Sequence, residues 1–507
     1  MKKKIINHKD LEKKLQNLKA KNKKIGLCHG VFDLIHLGHI KHFEEAKKNC
    51  QILIVSVTSD KFVFKGPGRP KFSERQRIEV ISSLEVVDYV IISNSISAED
   101  NIKLVKPNIY FKGPDYKNNS KDFTKKIQLE NNLVKKYGGK TLYTDTQKFS
   151  SSYLLNSMAN LFPKNKDILR DQIKKNFEFK DIKLEIEKLG NIKPLVLGEV
   201  IIDEYIFCEA LGKSGKEPTL VIRDLHKEQY LGGAGAIGNH LASFNKKIYF
   251  LTYLGEKIEY LNFIKKKLNK SIFMEYITKL NSPTIIKKRF LDDVTNSKIL
   301  GLYSLNDDFL NNKEEKNLIS KFQKLCKITD LTILSDYGHG LITKKFANII
   351  KKKSKFIAVN VQINAANHGY HSLENYKNID FMIINEKELR HEVRSKSEKI
   401  PKLMKFLSKK MNISYLVVTR GSSGTLLYNK KNGLFYEIRA YAEKVVDKVG
   451  AGDAMLSILA LCLYKKIDIN LSLLIASFCA AQSVKIMGNK SSIQKSILLK
   501  DLEHYLL

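Results

Sequence analysis

Short runs of apolar residues alternate along the chain with longer stretches in which apolar residues recur every three or four positions. Residues 24–28, 51–57 and 86–92 are apolar runs of strand length, whereas residues 8–20 and 37–48 have helical spacing. Strands that alternate with amphipathic helices are typical of α/β domains, because a crossover helix joins successive parallel strands. The pattern therefore predicts an α/β protein with parallel sheets in both halves.

The same pattern predicts a division of the chain into two domains. A chain of 507 residues is too long for one hydrophobic core. The first strands and helices predict a doubly wound, Rossmann-like domain over residues 1–160. Residues 161–192 are lysine-rich and predict a linker that merges into a helix. A new strand that begins at Pro194 opens a second α/β domain, which we place at residues 193–507.

Composition adds a strong positive charge to this picture. The chain has 88 Lys and Arg against 53 Asp and Glu, a formal net charge of +35. The lysines are spread along the whole length, and no basic stripe is interleaved with aromatic residues, so we expect no nucleic-acid partner. A positive field instead suits anionic substrates such as nucleotides and sugar phosphates.

Several features favour the cytoplasm. No stretch approaches 18 uninterrupted apolar residues, so we expect no membrane-spanning helix and no membrane partner. The first residues are charged but lack the apolar segment of a secretory signal. The six cysteines are scattered singly, which argues against a zinc ribbon or a disulfide framework and favours a reducing compartment.

The first chemical motif lies between a predicted strand and a predicted helix. There His36 and His39 flank Gly38 at the start of the helix. A phosphate at this position would meet backbone N–H groups and the positive end of the helix dipole. In nucleotidyl transfer, negative charge builds on the α-phosphate while pyrophosphate leaves, and imidazole donors would stabilise that charge. The pattern therefore predicts a nucleotidyl-transfer site.

Three later segments of the first domain could complete such a site. Lys65 stands in the glycine-rich loop KGPGRP and offers a mobile cation to a triphosphate. Lys112 and Asp115 follow the fourth predicted strand, at the sheet edge where ligands collect. Ser151 and Ser152 precede a predicted helix and supply hydroxyl groups there.

These segments resemble, in order and spacing, the cytidylyltransferase-like family over about residues 24–157. The similar segments are GVFDLIHLGH, FKGPGRP, SERQR, VVDYVI and YFKGPDY. Class I aminoacyl-tRNA synthetases share the HxGH motif, but the chain has no KMSKS-like loop. The resemblance implies that His36, His39 and Lys65 stabilise the reacting phosphates of ATP or CTP. The remaining implied nucleotide-binding residues are Phe32, Asp33, Gly38, Lys112, Asp115, Ser151 and Ser152.

The second chemical motif is Gly450-Ala451-Gly452-Asp453, which leads into an apolar helix. Small residues at a helix start let backbone N–H groups converge on an anion, such as a phosphoryl group in transfer. Asp453 beside that anion hole is placed to take the proton from an attacking hydroxyl. The motif therefore predicts phosphoryl transfer to an alcohol.

Other segments of the second domain carry polar residues at the ends of predicted strands. Asp203 and Asp336 each end an apolar run, and Gly232 with Gly233 opens the helix that contains Asn239. With Gly450–Asp453, these segments resemble the ribokinase-like, or PfkB, carbohydrate kinases over about residues 190–500. The resemblance implies that Asp453 is the base, that Gly450, Ala451 and Gly452 form the anion hole, and that ATP is the donor.

The resemblance also implies ligand contacts elsewhere in this domain. Glu388 would act with Asn385 on the phosphates and would contact Mg²⁺ through water, with no direct side-chain cage. The implied nucleotide contacts are Asn385, Glu388, Thr419, Gly421 and Asn489, and the implied substrate contacts are Asp203, Gly232, Gly233, Asn239 and Asp336.

The two motifs together predict consecutive reactions. A kinase that phosphorylates the anomeric oxygen produces the sugar 1-phosphate that a nucleotidyltransferase needs. The combination resembles the bifunctional heptose kinase/nucleotidyltransferases of lipopolysaccharide core synthesis, with the domain order reversed. It implies heptose 7-phosphate as the sugar, while the reversed order keeps another sugar open. An alternative is an active transferase whose kinase-like half only binds or senses a sugar phosphate. A homodimer is a further possibility.

Overall fold

The computed structural model describes residues 4–63, 69–95, 97–113, 126–144, 168–363, 367, 372–442 and 445–506. The chain forms two compact units. One comprises Met1–Ile168 together with Leu499–Leu507, and the other comprises Leu169–Leu498.

The first unit is a parallel sheet of five strands with helices on both faces. Its strand order is β3-β2-β1-β4-β5, and all described pairs are parallel. The order reverses at β1, so the carboxyl ends of β1 and β4 form the crevice where open α/β sheets bind ligands. The elements are α1 (His8–Ala20), β1 (Ile25–Gly30), α2 (Leu37–Lys48), β2 (Ile52–Thr58), α3 (Glu74–Ser82), β3 (Tyr89–Ser93), α4 (Glu99–Val105), β4 (Ile109–Lys112), α5 (Lys126–Lys136) and β5 (Lys140–Tyr143), with a 3₁₀ turn at Asp60–Phe62.

Both faces of this sheet carry a hydrophobic core, which confirms the doubly wound fold that the sequence predicts. One face packs Cys28, Val55 and Phe111 against Phe43 of α2. The opposite face packs side chains such as Leu27 and Ile54 against α1, α4 and α5. Because a parallel sheet is covered on both sides, its strands are apolar throughout, and this explains why they were visible as uninterrupted runs.

The second unit contains a nine-stranded sheet in the order β10-β9-β6-β13-β14-β15-β16-β17-β18. The strands from β10 to β16 are parallel, and β17 and β18 add an antiparallel edge. Its strands are β6 (Pro194–Gly198), β9 (Ile248–Gly255), β10 (Ile272–Lys279), β13 (Leu331–Asp336), β14 (Ile357–Val361), β15 (Ile379–Asn385), β16 (Ile413–Thr419), β17 (Thr425–Asn429) and β18 (Leu434–Ile438).

Helices cover this sheet, and two of them are buried almost all round. The helices that begin at Ala451 and Ile469 have apolar side chains on every face, as buried helices do. The described helices from residue 168 onward are α6 (Ile168–Asn176), α7 (Phe179–Lys188), α8 (Ala234–Leu241), α9 (Leu261–Lys267), α10 (Asn312–Ile328), α11 (Lys344–Lys353), α12 (Glu386–Val393), α13 (Ile400–Met411), α14 (Ala451–Tyr464), α15 (Ile469–Ser483) and α16 (Lys495–Leu506), with 3₁₀ turns at Leu189–Asn191, Leu373–Asn375 and Gly421–Ser423. Most of α16 groups with the first unit.

A separate small sheet of four strands has the order β12-β11-β7-β8. Its register places Asp203 of β7 opposite Lys287 of β11 and Tyr205 opposite Arg289. Alternate residues of a strand point to the same face, so these four side chains share one face of the small sheet. The strands are β7 (Val200–Lys213), β8 (Leu220–Gly233), β11 (Ile286–Asp292) and β12 (Lys298–Ser304).

The limits of the second unit do not coincide with the domain boundary that we place at residue 193. Residues 168–188, within the predicted linker, form α6 and α7 of the second unit. Leu499–Leu507 belong to the first unit, although the sequence pattern assigned them to the second domain. An amphipathic helix buries its apolar side wherever a matching surface exists, and periodicity does not specify that surface. Within the described residues, no helix is long and apolar enough to cross a membrane.

Candidate active sites

His36 and His39 come together at the start of α2. His36 is the N-cap residue, and its Nδ1 accepts a hydrogen bond from the backbone N–H of Gly38 at 3.1 Å. The two imidazole rings are stacked, with centroids 3.9 Å apart and planes 22° apart. Burial lowers the pKa of His36, so its ring is neutral at pH 7. The arrangement presents two neighbouring imidazoles where the helix dipole favours an anion.

Phe32 supports this pair from the apolar side. Its backbone has a φ of +50°, and its ring meets His39 edge-on at 5.3 Å and Phe43 at 5.1 Å. A Cβ at Gly30 would approach the Phe32 ring to 2.9 Å, so the end of β1 requires glycine. The side chain of Phe32 therefore packs behind the histidines, while the predicted nucleotide contact stays a prediction.

Asp33 has protein partners. Its Oδ2 accepts a hydrogen bond from Arg69 Nη1 at 2.9 Å, and its Oδ1 accepts from the backbone N–H groups of Lys71 and Phe72 at 2.8 and 3.0 Å. The Asp33 and Arg69 side chains are only 3% and 4% exposed. Asp33 therefore fixes the segment from Arg69 to Phe72 beside the HxGH loop. These contacts indicate a positioning role, whereas the sequence suggested a direct nucleotide contact.

Arg77 of α3 is a positioning residue to which the sequence analysis gave no role. Its guanidinium is 1% exposed and donates to Val31 O at 2.5 Å, Phe72 O at 2.9 Å and Asp60 Oδ1 at 2.6 Å. It thus connects the loop before His36 to the segment after Arg69. The available signal was its place in the SERQR segment at the start of an amphipathic helix.

Lys112 ends β4 and is buried in an ion pair with Glu130, at 2.8 Å between Nζ and Oε2. Two buried histidines surround it. Burial first, and the Lys112 charge second, lower the pKa of His29 and of His42 to about 4. Both rings are therefore neutral at pH 7. Because Lys112 already has a buried counter-ion, nucleotide binding by this residue stays a prediction. The predicted site residues Lys65, Asp115, Ser151 and Ser152 lie outside the described residues.

In the second unit, Gly450, Ala451, Gly452 and Asp453 form the start of α14. Gly450 is the N-cap with a φ of +85°, a conformation that glycine adopts at little cost. A Cβ at Gly452 would meet no atom within 4 Å, so the space beside the first helical N–H groups is open. An anion could approach these N–H groups without a side chain in the way.

Asp453 lies beside that opening. Its Oδ1 accepts a hydrogen bond from the Tyr337 hydroxyl at 3.0 Å. Burial raises the pKa of Asp453 to about 6, opposed by the Tyr337 hydrogen bond, while Asp203 raises it and Lys287 lowers it. A carboxylate with a pKa near the working pH is suited to accept and release a proton.

Asp203 and Arg289 form a buried ion pair on the face of the small sheet near Asp453. Arg289 Nη1 lies 2.5 Å from Asp203 Oδ1, and Asp203 is 3% exposed. A Cβ at Gly232 would overlap Asp203 Oδ2, so glycine is required for this carboxylate to fit. Gly233 has a φ of +58° and forms the N-cap of α8. Asp203 raises the pKa of Asp453 and therefore lies near it, while sugar binding by Asp203, Gly232 and Gly233 stays a prediction.

Lys287 is the unexpected member of this group. It is 7% exposed, and its ammonium lies 5.4 Å from the ring centre of Tyr303 and 5.6 Å from that of Tyr337. Within the described part of the chain, it forms no ion pair or side-chain hydrogen bond. Burial lowers its pKa, while Asp203 raises it. A buried cation without a counter-ion is costly, and an anionic substrate would remove that cost.

The sequence analysis missed Lys287 and Arg289. Their only local signal is a run of three cations in β11, in which Lys287 and Arg289 stand on either side of Lys288. Strand alternation predicts a shared face but does not say what that face meets. The parallel pairing of β11 with β7 brings them to Asp203, and only the folded sheet shows this.

Asp447 joins the loop before the anion hole to the small sheet. Its Oδ2 accepts from the Tyr205 hydroxyl at 2.9 Å and from Gly488 N–H at 3.2 Å, and Lys298 Nζ lies 2.9 Å from its Oδ1. Burial acts to raise the pKa of Asp447, but Lys298 and the hydrogen bonds from Tyr205 and the Val449 N–H together lower it. Asp447 is therefore a carboxylate that holds the loop in place.

Two predicted substrate-binding residues have other partners. Asp336 is 3% exposed and accepts hydrogen bonds from Gly338 N–H at 2.9 Å and from the Tyr376 hydroxyl. It fixes the turn after β13. The Asn239 amide instead bonds to Lys267 O at 3.1 Å and to the N–H of Asn269 at 2.9 Å. It stabilises the turn before β10 and gives no sign of a contact with the Asp453 group.

Asn385 and Glu388 form a capping box at the start of α12. Asn385 Oδ1 accepts from Glu388 N–H at 2.9 Å, and Glu388 Oε2 accepts from Asn385 N–H at 2.8 Å. Glu388 Oε1 also accepts from Ile363 N–H at 3.3 Å, and burial raises the Glu388 pKa to about 7. Thr419 ends the neighbouring strand β16, and Gly421 follows with a φ of +57°.

Asn489 lies against the anion hole. A Cβ at Gly450 would overlap its Oδ1, so the two residues are in close contact. The carboxyl ends of β13, β15 and β16 lie on the same edge of the nine-stranded sheet, since these strands are parallel. The predicted nucleotide contacts in this unit therefore lie on one edge of the sheet.

The described side chains of this unit could bind Mg²⁺ only through water molecules. Among the described residues, no group of three His, Cys, Asp or Glu side chains could hold a metal ion directly. Each carboxylate oxygen of Glu388 accepts one backbone N–H and keeps a second lone pair for a metal-bound water. Mg²⁺ typically retains several waters and binds with the phosphates of a nucleotide.

The fold and these residues define a class: a phosphoryl-transfer domain of the carbohydrate-kinase type, preceded by a domain with an HxGH phosphate site. Residues 192–496 match the pfkB family carbohydrate kinases, and residues 27–157 match the cytidylyltransferase-like family. The chain belongs to the pfkB family of carbohydrate kinases.

Two similar proteins are named as bifunctional. The bifunctional protein HldE of Campylobacter jejuni (strain RM1221) is 27% identical over 311 residues, which cover 60% of this chain and 64% of that protein. HldE of Haemophilus influenzae (strain PittEE) is 30% identical over 278 residues, 54% of this chain and 55% of that protein. The chain thus spans about 64% of the length of the first of these relatives.

A solved structure supports the fold of the second unit. Phosphofructokinase-2 from Escherichia coli, in complex with potassium, has a TM-score of 0.51 and 14% sequence identity. The similarity covers 62% of this chain and 99% of that structure. The predicted ribokinase-like α/β fold is therefore confirmed.

Proposed function

We propose that this chain phosphorylates a sugar phosphate with ATP and then transfers a nucleotidyl group to the resulting sugar 1-phosphate. The observation that carries the proposal is the group formed by Asp453, Lys287 and the open start of α14. A base, a buried cation without a counter-ion and exposed helical N–H groups are together suited to phosphoryl transfer between anionic substrates.

In the first reaction, Asp453 takes the proton of the sugar hydroxyl. The hydroxyl oxygen attacks the γ-phosphorus of ATP, and the bond to the ADP oxygen breaks. The N–H groups at Ala451 and Gly452 would bind the phosphoryl oxygens in transfer. Lys287 would neutralise the negative charge that the substrates bring next to Asp453. The Asp203–Arg289 pair would hold the sugar, with Asp203 accepting hydrogen bonds from its hydroxyl groups.

In the second reaction, a phosphate oxygen of the sugar 1-phosphate attacks the α-phosphorus of a nucleoside triphosphate, and pyrophosphate leaves. His36 and His39 would donate hydrogen bonds to the α-phosphate oxygens as charge builds there. Lys65 is proposed to contact the same phosphates. Mg²⁺, with Glu388 in the kinase half, would supply neutralising charge to the nucleotide phosphates.

The resemblance of the motifs favours one particular substrate. Both relatives are called bifunctional, and the resemblance to heptose enzymes favours heptose 7-phosphate, phosphorylated at O1, with a nucleotide heptose for lipopolysaccharide as the product. ATP and CTP both stay open for the transferase. The six cysteines are scattered singly along the sequence and are all buried, which supports a cytoplasmic enzyme.

Two coupled assays test the proposal. Purified protein is incubated with ATP or CTP and a panel of sugar phosphates that includes heptose 7-phosphate, and both ADP and pyrophosphate are measured. His36→Ala should abolish pyrophosphate release with ADP formation unchanged, and Asp453→Asn should abolish ADP formation. With added sugar 1-phosphate, Asp453→Asn should still release pyrophosphate.

His8→Ala is the matched control, since His8 is an exposed histidine of the same unit that bonds to Ile92 O. It should change neither product. Failure to release pyrophosphate with any sugar 1-phosphate would refute the transferase. Sugar phosphorylation that survives Asp453→Asn would instead favour a kinase-like half that only binds sugar phosphate.

A further inference from the structure

A cavity of about 290 Å³ flanks α8, outside the Asp453 group. It reaches from Asn489, next to Gly450, to Lys267 and Asn269 in the turn before β10. Because β10 is parallel to the central strands, that turn lies at the edge of the sheet opposite the catalytic residues. The cavity therefore connects the neighbourhood of the anion hole with the far side of the unit.

A buried histidine provides an unsatisfied donor in this cavity. His240 is 1% exposed, and its Nδ1 accepts a hydrogen bond from the backbone N–H of Ile493 at 3.2 Å. Burial lowers its pKa to about 4, so the ring is neutral and its single proton is on Nε2. Within the described residues, this Nε2–H has no hydrogen-bond acceptor. A buried donor without an acceptor destabilises the folded state, and a ligand acceptor would remove that penalty.

The other side chains of the cavity indicate the chemistry of that ligand. Asn489 Oδ1 is a second buried polar atom without a partner among the described residues. Lys267 and Lys490 contribute positive charge, although Lys490 Nζ also lies 2.8 Å from Glu228 Oε1, and the described lining itself contains no Asp or Glu. The amides and hydroxyls that complete the lining are those of Asn239, Asn269, Gln494, Ser491, Ser492 and Tyr230. This combination suits an anion that also carries hydroxyl groups.

We propose that this cavity is a second ligand site that binds a monosaccharide phosphate. The ligand phosphate lies near Lys267 and Lys490, a ligand oxygen accepts from His240 Nε2–H, and a ligand hydroxyl donates to Asn489 Oδ1. The volume suits one phosphorylated sugar and is small for a nucleotide sugar, since ligand pockets of drug-sized molecules span roughly 300–1,000 Å³.

The site is placed to influence the kinase. Asn489 is in close contact with Gly450, and Gly488 donates to Asp447, so a ligand that fixes Asn489 acts on the loop that forms the anion hole. This effect on catalysis rests on the proposed kinase function, whereas binding itself does not. An occupied cavity should change the kcat of sugar phosphorylation more than its KM.

Binding is tested with the full chain labelled with ¹⁵N-histidine. Inorganic phosphate, glucose, glucose 6-phosphate, mannose 1-phosphate and heptose 7-phosphate are titrated separately, and the Nε2–H resonance of His240 is followed. At least one sugar phosphate should shift this resonance at millimolar concentration, and phosphate or glucose alone should shift it less. The resonance is assigned by its absence in His240→Asn, in which an amide oxygen can replace Nδ1 as acceptor while the Nε2 donor is lost.

Two neighbouring exposed lysines of α9 provide a test variant and its control. Lys267→Gln should weaken the binding that shifts His240 by about fivefold, the effect of losing one partly exposed charge interaction. Lys266→Gln, one position away and outside the cavity lining, should leave binding and kinase activity unchanged. The proposal is overturned if no sugar phosphate shifts the His240 resonance or if Lys267→Gln binds as wild type does. If the wild-type protein binds the sugar phosphate but forms no ADP, only the proposed kinase function is refuted.

Discussion

At the scale of single residues, the protonation of Asp453 gives a direct prediction. Its pKa is raised to about 6, so the carboxylate becomes a competent base as the pH rises through 6. We expect kcat/KM for sugar phosphorylation to rise between pH 5 and pH 7, with its midpoint near pH 6. In Tyr337→Phe, the hydrogen bond that lowers this pKa is lost, so the midpoint should move to higher pH. Initial rates of ADP release across this range measure both profiles.

The same pKa has a consequence for stability that serves as a check. The pKa of an aspartate is near 4 in the unfolded chain and is raised to about 6 for Asp453 in the folded protein. The protonated carboxyl therefore favours the folded state below pH 4, and this contribution is lost as the pH rises through 6. Asp453→Asn should therefore gain stability relative to wild type as the pH increases from 4 to 8. A rate profile that is flat between pH 5 and pH 7, or a Tyr337→Phe midpoint at lower pH, would contradict the assignment of Asp453 as the base.

Substitution of Lys287 should lower activity without lowering stability. Lys287→Met keeps the length of the buried side chain but removes a cation that has no counter-ion in the described structure. We expect kcat/KM for sugar phosphorylation to fall by about one hundredfold, as for loss of a preorganised charge. The free energy of unfolding should not fall, and should rise by about 1 kcal/mol, because burial of an unpaired charge is costly. Steady-state kinetics and urea unfolding measure the two quantities.

The neighbouring residue provides the control for this substitution. Lys288 lies on the opposite face of β11, half-exposed, with Glu204 at 3.7 Å. Lys288→Met should leave kcat/KM within about twofold of wild type, since the Lys288 side chain lies on the face of β11 away from Lys287 and Asp203. If Lys287→Met lowers stability and leaves activity unchanged, Lys287 is a structural residue and the proposed role of its charge is wrong.

At the scale of elements, Arg77 connects α3 with two loops of the transferase unit. Arg77→Met would leave the Asp60 carboxylate and two backbone carbonyls without their donor. Asp60 is 41% exposed and can be solvated, but a buried polar group that loses its partner typically costs about 1–3 kcal/mol, so the first unit should unfold at lower denaturant concentration. Pyrophosphate release should fall more than ADP formation. Unfolding followed by circular dichroism and the two product assays measure these effects.

Arg75→Gln is the matched control within the same helix. The Arg75 side chain is 86% exposed and pairs only with Glu79 at 3.3 Å in the described structure. We expect no measurable change in stability or in either product. Equal loss of both activities in Arg77→Met would indicate a general folding defect, and the specific link between Arg77 and the HxGH loop would then be refuted.

At the scale of the whole molecule, the small sheet favours self-association. Several large apolar side chains on it are about half exposed, namely Leu211, Leu220, Leu225, Leu300 and Leu302. Exposed apolar patches on soluble proteins commonly mark interfaces. We expect the wild-type chain to form a homodimer, as light scattering would measure. Leu300→Glu combined with Leu302→Glu should produce monomers, because two charges would be buried at the interface.

The control for this experiment lies on another sheet. Leu434 at the edge strand β18 is 55% exposed, so Leu434→Glu adds the same charge away from the small sheet. It should leave the molar mass unchanged. A monomeric wild-type chain at all concentrations tested would contradict the expected homodimer.

Much of the fold could be read from the sequence because its signals are local. Uninterrupted apolar runs predicted the parallel strands β1 and β2, and α2 begins and ends at residues 37 and 48, as the spacing indicated. The pattern did not show that Leu499–Leu507 group with the first unit, since periodicity shows that a helix has an apolar side but not which surface covers it.

The sequence by itself determined the two phosphate motifs, at His36–His39 and at Gly450–Asp453. Their geometry depends on a helix start and a few glycines, which are properties of consecutive residues. Only the tertiary structure decided which other side chains join them. Arg289 donates a hydrogen bond to Asp203, 86 residues away in the sequence, and Arg77 donates one to Val31, 46 residues away. These contacts arise from strand pairing and loop packing, which depend on the whole sheet. For the same reason, the roles of Asp33, Asp336 and Asn239 became visible only when their partners were in place.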